Sequence, residues 1–272
     1  MKKKTLFSAA AFAVAIGVTV VACQKNPVTP PTTPADVHLK NGLLLYLPFD
    51  GNFADSSGNG NPTALSAGAG TNAGLAPDEH GYSDRAYGCN GVGSTALLVT
   101  NNGSIQFDTA YTISANFMTF APTATQGLVS LTDYTTGYGA TFAFGFISPT
   151  TNRLTIGSVD STDNHCDWFS KNATPNAGVS DTTNFTAAAG SWYNVITSYK
   201  NGTVKTYVNG TLVSTKSGIG TRTKICPNSK VVIGGWWSKD PLPINGRIDE
   251  VRLYNRTLNA NEIKELSKDF QY

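Results

Sequence analysis

Two Asn-Gly pairs constrain this chain more than any other feature. In "WYNVITSYKNGTVKTYVNGTLVS", Asn201-Gly202 and Asn209-Gly210 each separate two runs in which apolar and polar residues alternate. Asn and Gly accept the positive φ angles of a type I′ turn at little cost, so the stretch predicts three consecutive antiparallel strands. A meander of this kind has to bury one face against a second layer. The same period of two recurs elsewhere. "YTISANFMTF" puts Tyr111, Ile113, Ala115 and Phe117 on one face, "TFAFGFI" groups Phe142, Phe144 and Phe146, and "GLLLYLPF" is a short apolar run. With 27 glycines and no Pro-rich boundary in the interior, residues 42–272 are expected to form one all-β domain of two sheets. Only "LNANEIKELSKDF" reads as a helix. Asn259 is placed to cap it, Glu262 follows three residues on, and Leu258 and Ile263 are spaced for a hydrophobic staple.

Residues 1–22 have the layout of a secretory signal peptide: three lysines, then an apolar run ending at Ala22. The following "VVAC" resembles the lipobox of bacterial lipoproteins, and that resemblance implies lipidation of Cys23. Residues 23–41, with four prolines between Gln24 and Lys40, are expected to be an extended tether. At about 3.1 Å per residue it would span roughly 50 Å. The expected location is therefore the bacterial cell envelope, exported and lipid-anchored in the outer membrane, with the lipid as the membrane contact.

Charge and cysteine use agree with export. The whole chain has 20 Lys+Arg against 18 Asp+Glu, but Lys2, Lys3 and Lys4 leave with the signal peptide, so 17 face 18 in the mature chain. There is no basic run for nucleic acid to bind. Beyond Cys23 stand Cys89, Cys166 and Cys226. Cys89, in the strand-like "AYGCN", is expected to pack as a small apolar residue, and Cys166 and Cys226, both in polar loop-like sequence, to form the disulfide. His38, His80 and His165 are scattered and no Cys-x-x-Cys occurs, which argues against zinc.

Four segments together carry a family resemblance: "GLLLYLPFDGNFADSSGNGN", "SWYNVITSYKNGTVKTYVNG", "VVIGG" and "GRIDEVRLYNRTLNANEIKEL". They are similar to the laminin G-like domains of the concanavalin A-like lectin/glucanase group. The resemblance implies a jelly roll of two antiparallel sheets with one short C-terminal helix, and a binding or adhesion module more often than an enzyme. It also implies that the last strand lies near the first, and that Trp192 is a core aromatic.

The adjacent carboxylates Asp249 and Glu250 raise the question of catalysis. In a regular strand they point to opposite faces, Asp249 inward with Val251 and Leu253, Glu250 outward beside Arg252. An inward Asp249 needs donors or a cation. Through the family resemblance, a structural Ca²⁺ held between Asp50 and Asp249 is one solution; acceptance of backbone N–H groups from the Asp50–Asn52 turn is the other. "ADSSGNGN" reads as a turn. Glucanases of this fold class resemble a strand pattern Glu-x-Asp-x-x-Glu, absent here, where the only glutamates are Glu79, Glu250, Glu262 and Glu265. Asp160, Asp163, His165 and Asp167 form the remaining acidic cluster, most simply a solvated loop.

Binding is the function that survives this reading. Sugar rings stack on aromatic side chains and their hydroxyls pair with amides and carboxylates. Trp236 and Trp237, in a Gly- and Pro-bounded loop, with Trp168 and Asp167, are the expected ligand-binding residues; covering the sandwich edge is the alternative role for these aromatics. The expected partner is a carbohydrate or glycoprotein, with a protein-binding adhesin or envelope assembly subunit as the alternative and a polysaccharide-degrading enzyme behind both.

Overall fold

The computed structural model describes residues 37–135, 142–146, 153–159, 178–217, 225 and 228–270. The expectations for the signal peptide, for Cys23 and the tether up to residue 36, and for Cys166, Asp167, Trp168 and Cys226 fall outside these residues.

Among the described residues two antiparallel sheets form a sandwich. One has eight strands, in the order β13 (Thr211–Ser217), β12 (Thr203–Val208), β11 (Trp192–Lys200), β6 (Ala110–Thr119), β15 (Asn245–Tyr254), β4 (Ala86–Asn90) and β3 (Ala73–Ala76), with β1 (Leu43–Leu47) also paired to β15. The other has seven: β10 (Gly178–Thr186), β9 (Arg153–Val159), β8 (Phe142–Phe146), β7 (Gln126–Asp133), β14 (Ser229–Ile233), β5 (Leu97–Thr100) and β2 (Thr63–Leu65). The architecture is that of a jelly-roll sandwich.

The local signals act as the chain predicts. Asn201 and Gly202 have φ of 46° and 82°, Asn209 and Gly210 of 49° and 75°, and the turns they make join β11, β12 and β13 into the meander. Tyr111, Ile113, Ala115 and Phe117 all reach the core between the sheets, where the rings of Tyr111 and Tyr199 stack with centroids 5.2 Å apart. Cys89 joins this core as a buried free thiol. Trp192 departs from expectation: it is half-buried opposite Met118, and its neighbour Tyr193 packs on the core, 5.7 Å from Phe117. Alternation along β11 gives the inward place to one of two adjacent aromatics, and it falls to Tyr193.

Strand β15 is the hub of the larger sheet. One edge pairs with β6; the other is shared, Asn245–Ile248 with β4 and Val251–Tyr254 with β1. The first and last strands are thus neighbours. Gly246 lets β15 run tightly against β6, since a Cβ there would lie 2.0 Å from the Met118 carbonyl oxygen. The "ADSSGNGN" loop is a turn pinned by Asp55, which accepts the N–H groups of Tyr46, Ser57 and Asn61 at 3.1, 2.9 and 3.0 Å and the Asn61 side-chain amide at 2.8 Å.

Helix α1 (Ala260–Leu266) lies on the outer face of the eight-stranded sheet, where Leu258 and Ile263 pack with Ile196 and Tyr254 in a second, smaller apolar cluster. Asn259 accepts the N–H groups of Asn261 and Glu262, while Glu262 reaches back to the Asn259 N–H at 2.9 Å, closing a capping box. Glu262 also takes two bonds from Arg256, at 2.7 and 2.8 Å, and one from the His38 N–H at 3.1 Å. The remaining Arg256 donors bind the carbonyls of Asn41, His38 and Thr257. This clamp fastens the start of the domain to its final helix and holds the Glu262 carboxyl down at about 2, the Arg256 guanidinium being the main cause.

Candidate functional site

The β15 edge changes partner at Asp249 and Glu250, and there the strand departs from regular alternation. Asp249 pairs with Asn116 and Arg252 with Ser114, so two residues of β15, Glu250 and Val251, oppose one of β6. This is a β-bulge, and Glu250 takes the left-handed conformation with φ of 53°. The extra residue resets the faces. Ile248, Val251 and Leu253 enter the core, while Asp249, Glu250 and Arg252 all line one cleft on the opposite side of the sheet. Two expectations are corrected by this: Asp249 is buried, at 4% exposure, but on the outer face rather than in the core, and the two adjacent carboxylates do share a cavity. A bulge re-aims side chains in this way and is common beside functional sites.

The cleft has a volume of about 330 Å³. One wall is the loop between β3 and β4, the other the end of α1 and the 3₁₀ turn Lys268–Phe270. On its floor, Asp249 Oδ1 accepts the Glu250 N–H at 2.7 Å, and the charged groups that act on it most are the carboxylates of Glu79 and Glu250. Burial, then the negative charges of Glu79 and Glu250, push the Asp249 carboxyl far above the usual carboxylate range. Glu79 Oε1 accepts from the Asn116 amide at 3.1 Å; its Oε2 is buried with no hydrogen-bond partner. Behind Asn116 a buried relay continues: Asn194 donates to Asn116 at 2.8 Å, and Ser267, at the C-terminal end of α1, donates to Asn194 at 2.7 Å. Every donor in the relay points toward Glu79, the arrangement in which hydrogen bonds reinforce one another.

Glu250 is held differently. Its oxygens take the Tyr46 hydroxyl at 2.9 Å and an ion pair with Arg252, whose guanidinium lies 4.1 Å over the Tyr46 ring. Arg252 and Glu250 are therefore partners, as the sequence suggests. The loop wall is shaped by Asp78, which accepts the N–H groups of His80 and Tyr82 at 2.9 and 2.8 Å. These bonds present the Tyr82 ring, 59% exposed, between two cleft residues: His80 at 6.3 Å and Arg85 at 5.1 Å. The sequence offered little pointer to this loop, since "PDEHGYSD" reads as a turn and nothing in it announces that Glu79, His80 and Tyr82 face a cleft.

Asp50 also lines the cleft, at its exposed rim, 3.6 Å from Arg85. Toward calcium the cleft offers Asp50 and Asp249 at different depths; among the described residues no three His, Cys, Asp or Glu side chains converge to hold a metal ion. Trp236 and Trp237 lie apart from the cleft, both half-buried in a tight hairpin closed by Trp236 N–H to the Pro241 carbonyl at 2.7 Å and by a bridge between Trp237 and Asp240. That hairpin leans on the β2–β5 side, where Ser238 meets Ser94 and Tyr134.

The family model described as the concanavalin A-like lectin/glucanases superfamily matches residues 91–264. Among solved structures, the binding domain of Paraclostridial mosquitocidal protein 1 superposes with a TM-score of 0.61 at 18% identity, covering 86% of this chain and 53% of that one. Domain 4 of AbnA, a GH43 extracellular arabinanase from Geobacillus stearothermophilus, in complex with arabinotriose, gives 0.60 at 20% identity over 83% of this chain and 98% of that one. The binding domain of botulinum neurotoxin DC in complex with SialylT gives 0.59 at 15% identity, covering 86% and 53%. This chain spans about half the length of the toxin binding domains and nearly all of the arabinanase domain. No curated protein matches in sequence.

Proposed function

Because the chain belongs to the concanavalin A-like lectin/glucanase superfamily, we propose that it is a non-catalytic binding module for carbohydrate or glycoprotein, anchored in the bacterial outer membrane through a lipid on Cys23. One observation carries the binding part: a concave polar cleft, floored by Glu79, Asn116 and Asp249, opens beside the exposed Tyr82 ring. Amides and carboxylates pair with sugar hydroxyls and an exposed ring supplies a stacking surface. The likeness to an arabinanase domain solved with arabinotriose supports the same reading.

Catalysis fits this cleft poorly. Glycoside hydrolysis needs two carboxyl groups flanking the bond that breaks. Asp249 is almost fully buried and Glu250 is occupied by Tyr46 and Arg252, so neither is presented to a glycosidic oxygen. The hairpin at Trp236 and Trp237, with Trp168 and Asp167, is the second place proposed for ligand. Calcium between Asp50 and Asp249 belongs to the proposal in a narrower form, because Asp50 must release Arg85 to join it. The proposed Cys166–Cys226 disulfide is tested by mass spectrometry with and without reductant.

The deciding experiment presents the protein to a glycan array and to insoluble polysaccharides, with calcium and with chelator, beside Tyr82→Ala and a Trp236→Ala/Trp237→Ala double variant. Saturable binding lost in Tyr82→Ala places the ligand in the cleft; loss only in the double variant moves it to the hairpin. Absence of binding from the folded protein overturns the carbohydrate reading. Labelling with radioactive palmitate, lost in Cys23→Ser, tests the anchor.

A further inference from the structure

Building on the carbohydrate reading above, we propose that the cleft selects its saccharide by charge, accepting uncharged, hydroxyl-rich sugars and turning away those that carry carboxylate or sulfate. Seven carboxylates line it against three cations. Each cation already has a partner: Arg252 with Glu250, Lys268 with Glu265 at 2.8 Å, and Arg85 with Asp50 at 3.6 Å. Asp78, Glu79, Asp249 and Asp269 are left with no cationic partner among the described ion pairs. Even with Asp249 counted as neutral, the lining keeps a net negative charge.

The floor points the same way. Asp249 is more than nine-tenths buried, and the groups facing it are Glu79 from the loop, Asn116 from β6 and Glu250 from its own strand, none of them a cation. Glu79 Oε2 is buried with no hydrogen-bond partner. Recognition of an acidic sugar calls for an arginine or lysine with donors to spare, and the lining carries a surplus of carboxylates instead. A hydroxyl satisfies an acceptor by donating to it; a carboxylate or sulfate has no proton to give and meets only repulsion. The sugar-complexed toxin domain among the structural relatives is therefore a guide to fold here and not to ligand charge.

The test uses matched glycan pairs, neutral and sialylated or sulfated on the same core, presented to the whole protein in chelator at low salt. With several unit charges acting across a few ångströms of water, the neutral member is expected to bind about tenfold tighter. That gap should narrow in about 0.5 M salt as the charges are screened. An Asp249→Asn/Glu79→Gln double variant is expected to raise the ratio of acidic to neutral binding roughly threefold or more. Equal binding of the two members, or preference for the acidic one, in a form that Tyr82→Ala abolishes, overturns the selectivity and leaves the carbohydrate reading standing. Binding that only the Trp236→Ala/Trp237→Ala variant abolishes also overturns it, because the cleft is then not the site. Failure of both members to bind removes the carbohydrate reading and this inference together.

Discussion

Glu262 and Asp249 are two carboxylates buried on the same side of the same sheet, 1% and 4% exposed, and they sit in opposite chemical states. Glu262 collects an arginine fork and two backbone N–H groups, and its carboxyl is held at about 2. Asp249 collects one N–H and the company of other carboxylates, and its carboxyl is driven up by burial. A buried charge is costly unless it is paired and hydrogen-bonded. The molecule meets that condition completely at the clamp and leaves it unmet in the cleft, although the two are tied together through α1 and the Ser267–Asn194–Asn116 relay. Where stability alone is at stake the charge is saturated. Where a ligand could come, acceptors stay open.

The comparison can be broken first at the clamp. Glu262→Ala strands Arg256 and removes half of the capping box, and chemical denaturation should show a loss of about 3–5 kcal/mol. Because the Glu262 carboxyl is depressed in the folded state, its contribution is complete above the unfolded value near 4 and disappears as pH falls through about 2; the variant should lose most of the acid sensitivity between those values. A variant as stable as the parent at pH 7 would show the clamp to be ornamental.

The opposite sign is expected in the cleft. The Asp249 carboxyl is raised in the folded state, so its effect on stability is most favourable below the unfolded value near 4 and worsens as pH rises toward the raised folded value. Asp249→Asn replaces the protonated carboxyl with an amide of the same shape that can donate to Glu79. It should stabilise the protein by roughly 2–4 kcal/mol at pH 8 and flatten its pH dependence. Destabilisation by the amide would mean that Asp249 is charged and compensated in the fold.

Two smaller effects sharpen the contrast. Asn194→Ala cuts the relay and leaves Asn116 and Ser267 short of partners in a buried setting, for a cost of about 1–3 kcal/mol in the same denaturation assay. Tyr82→Ala, at an exposed ring, should change stability by less than about 0.5 kcal/mol while removing glycan binding on the array. Stability lost together with binding would return Tyr82 to a structural role.

Much of the frame could be read in the chain because its signals are local. Asn-Gly turns, the alternation in β6 and the cap at Asn259 each act within a few residues of one another. The cleft depends on events that no local pattern announces. A bulge whose left-handed residue is a glutamate carries no turn signature, so strict alternation sent Asp249 to the wrong face. Its partner Glu79 sits in a loop distant in sequence, brought near only when β4 and β1 divide one edge of β15. The core aromatic at β11 illustrates the same limit, since alternation predicts that one of Trp192 and Tyr193 faces inward but not which.

The clamp also gives the domain a load path. His38 and Asn41, near the start of the described domain, are bound to Arg256 and Glu262 rather than to the sheet that begins with β1. A pull on the chain ahead of His38 is therefore taken up by that ion pair and passed into the C-terminal helix before it strains β1. Mechanically the sandwich hangs from its own tail, and the two ends of the domain yield or hold as one joint.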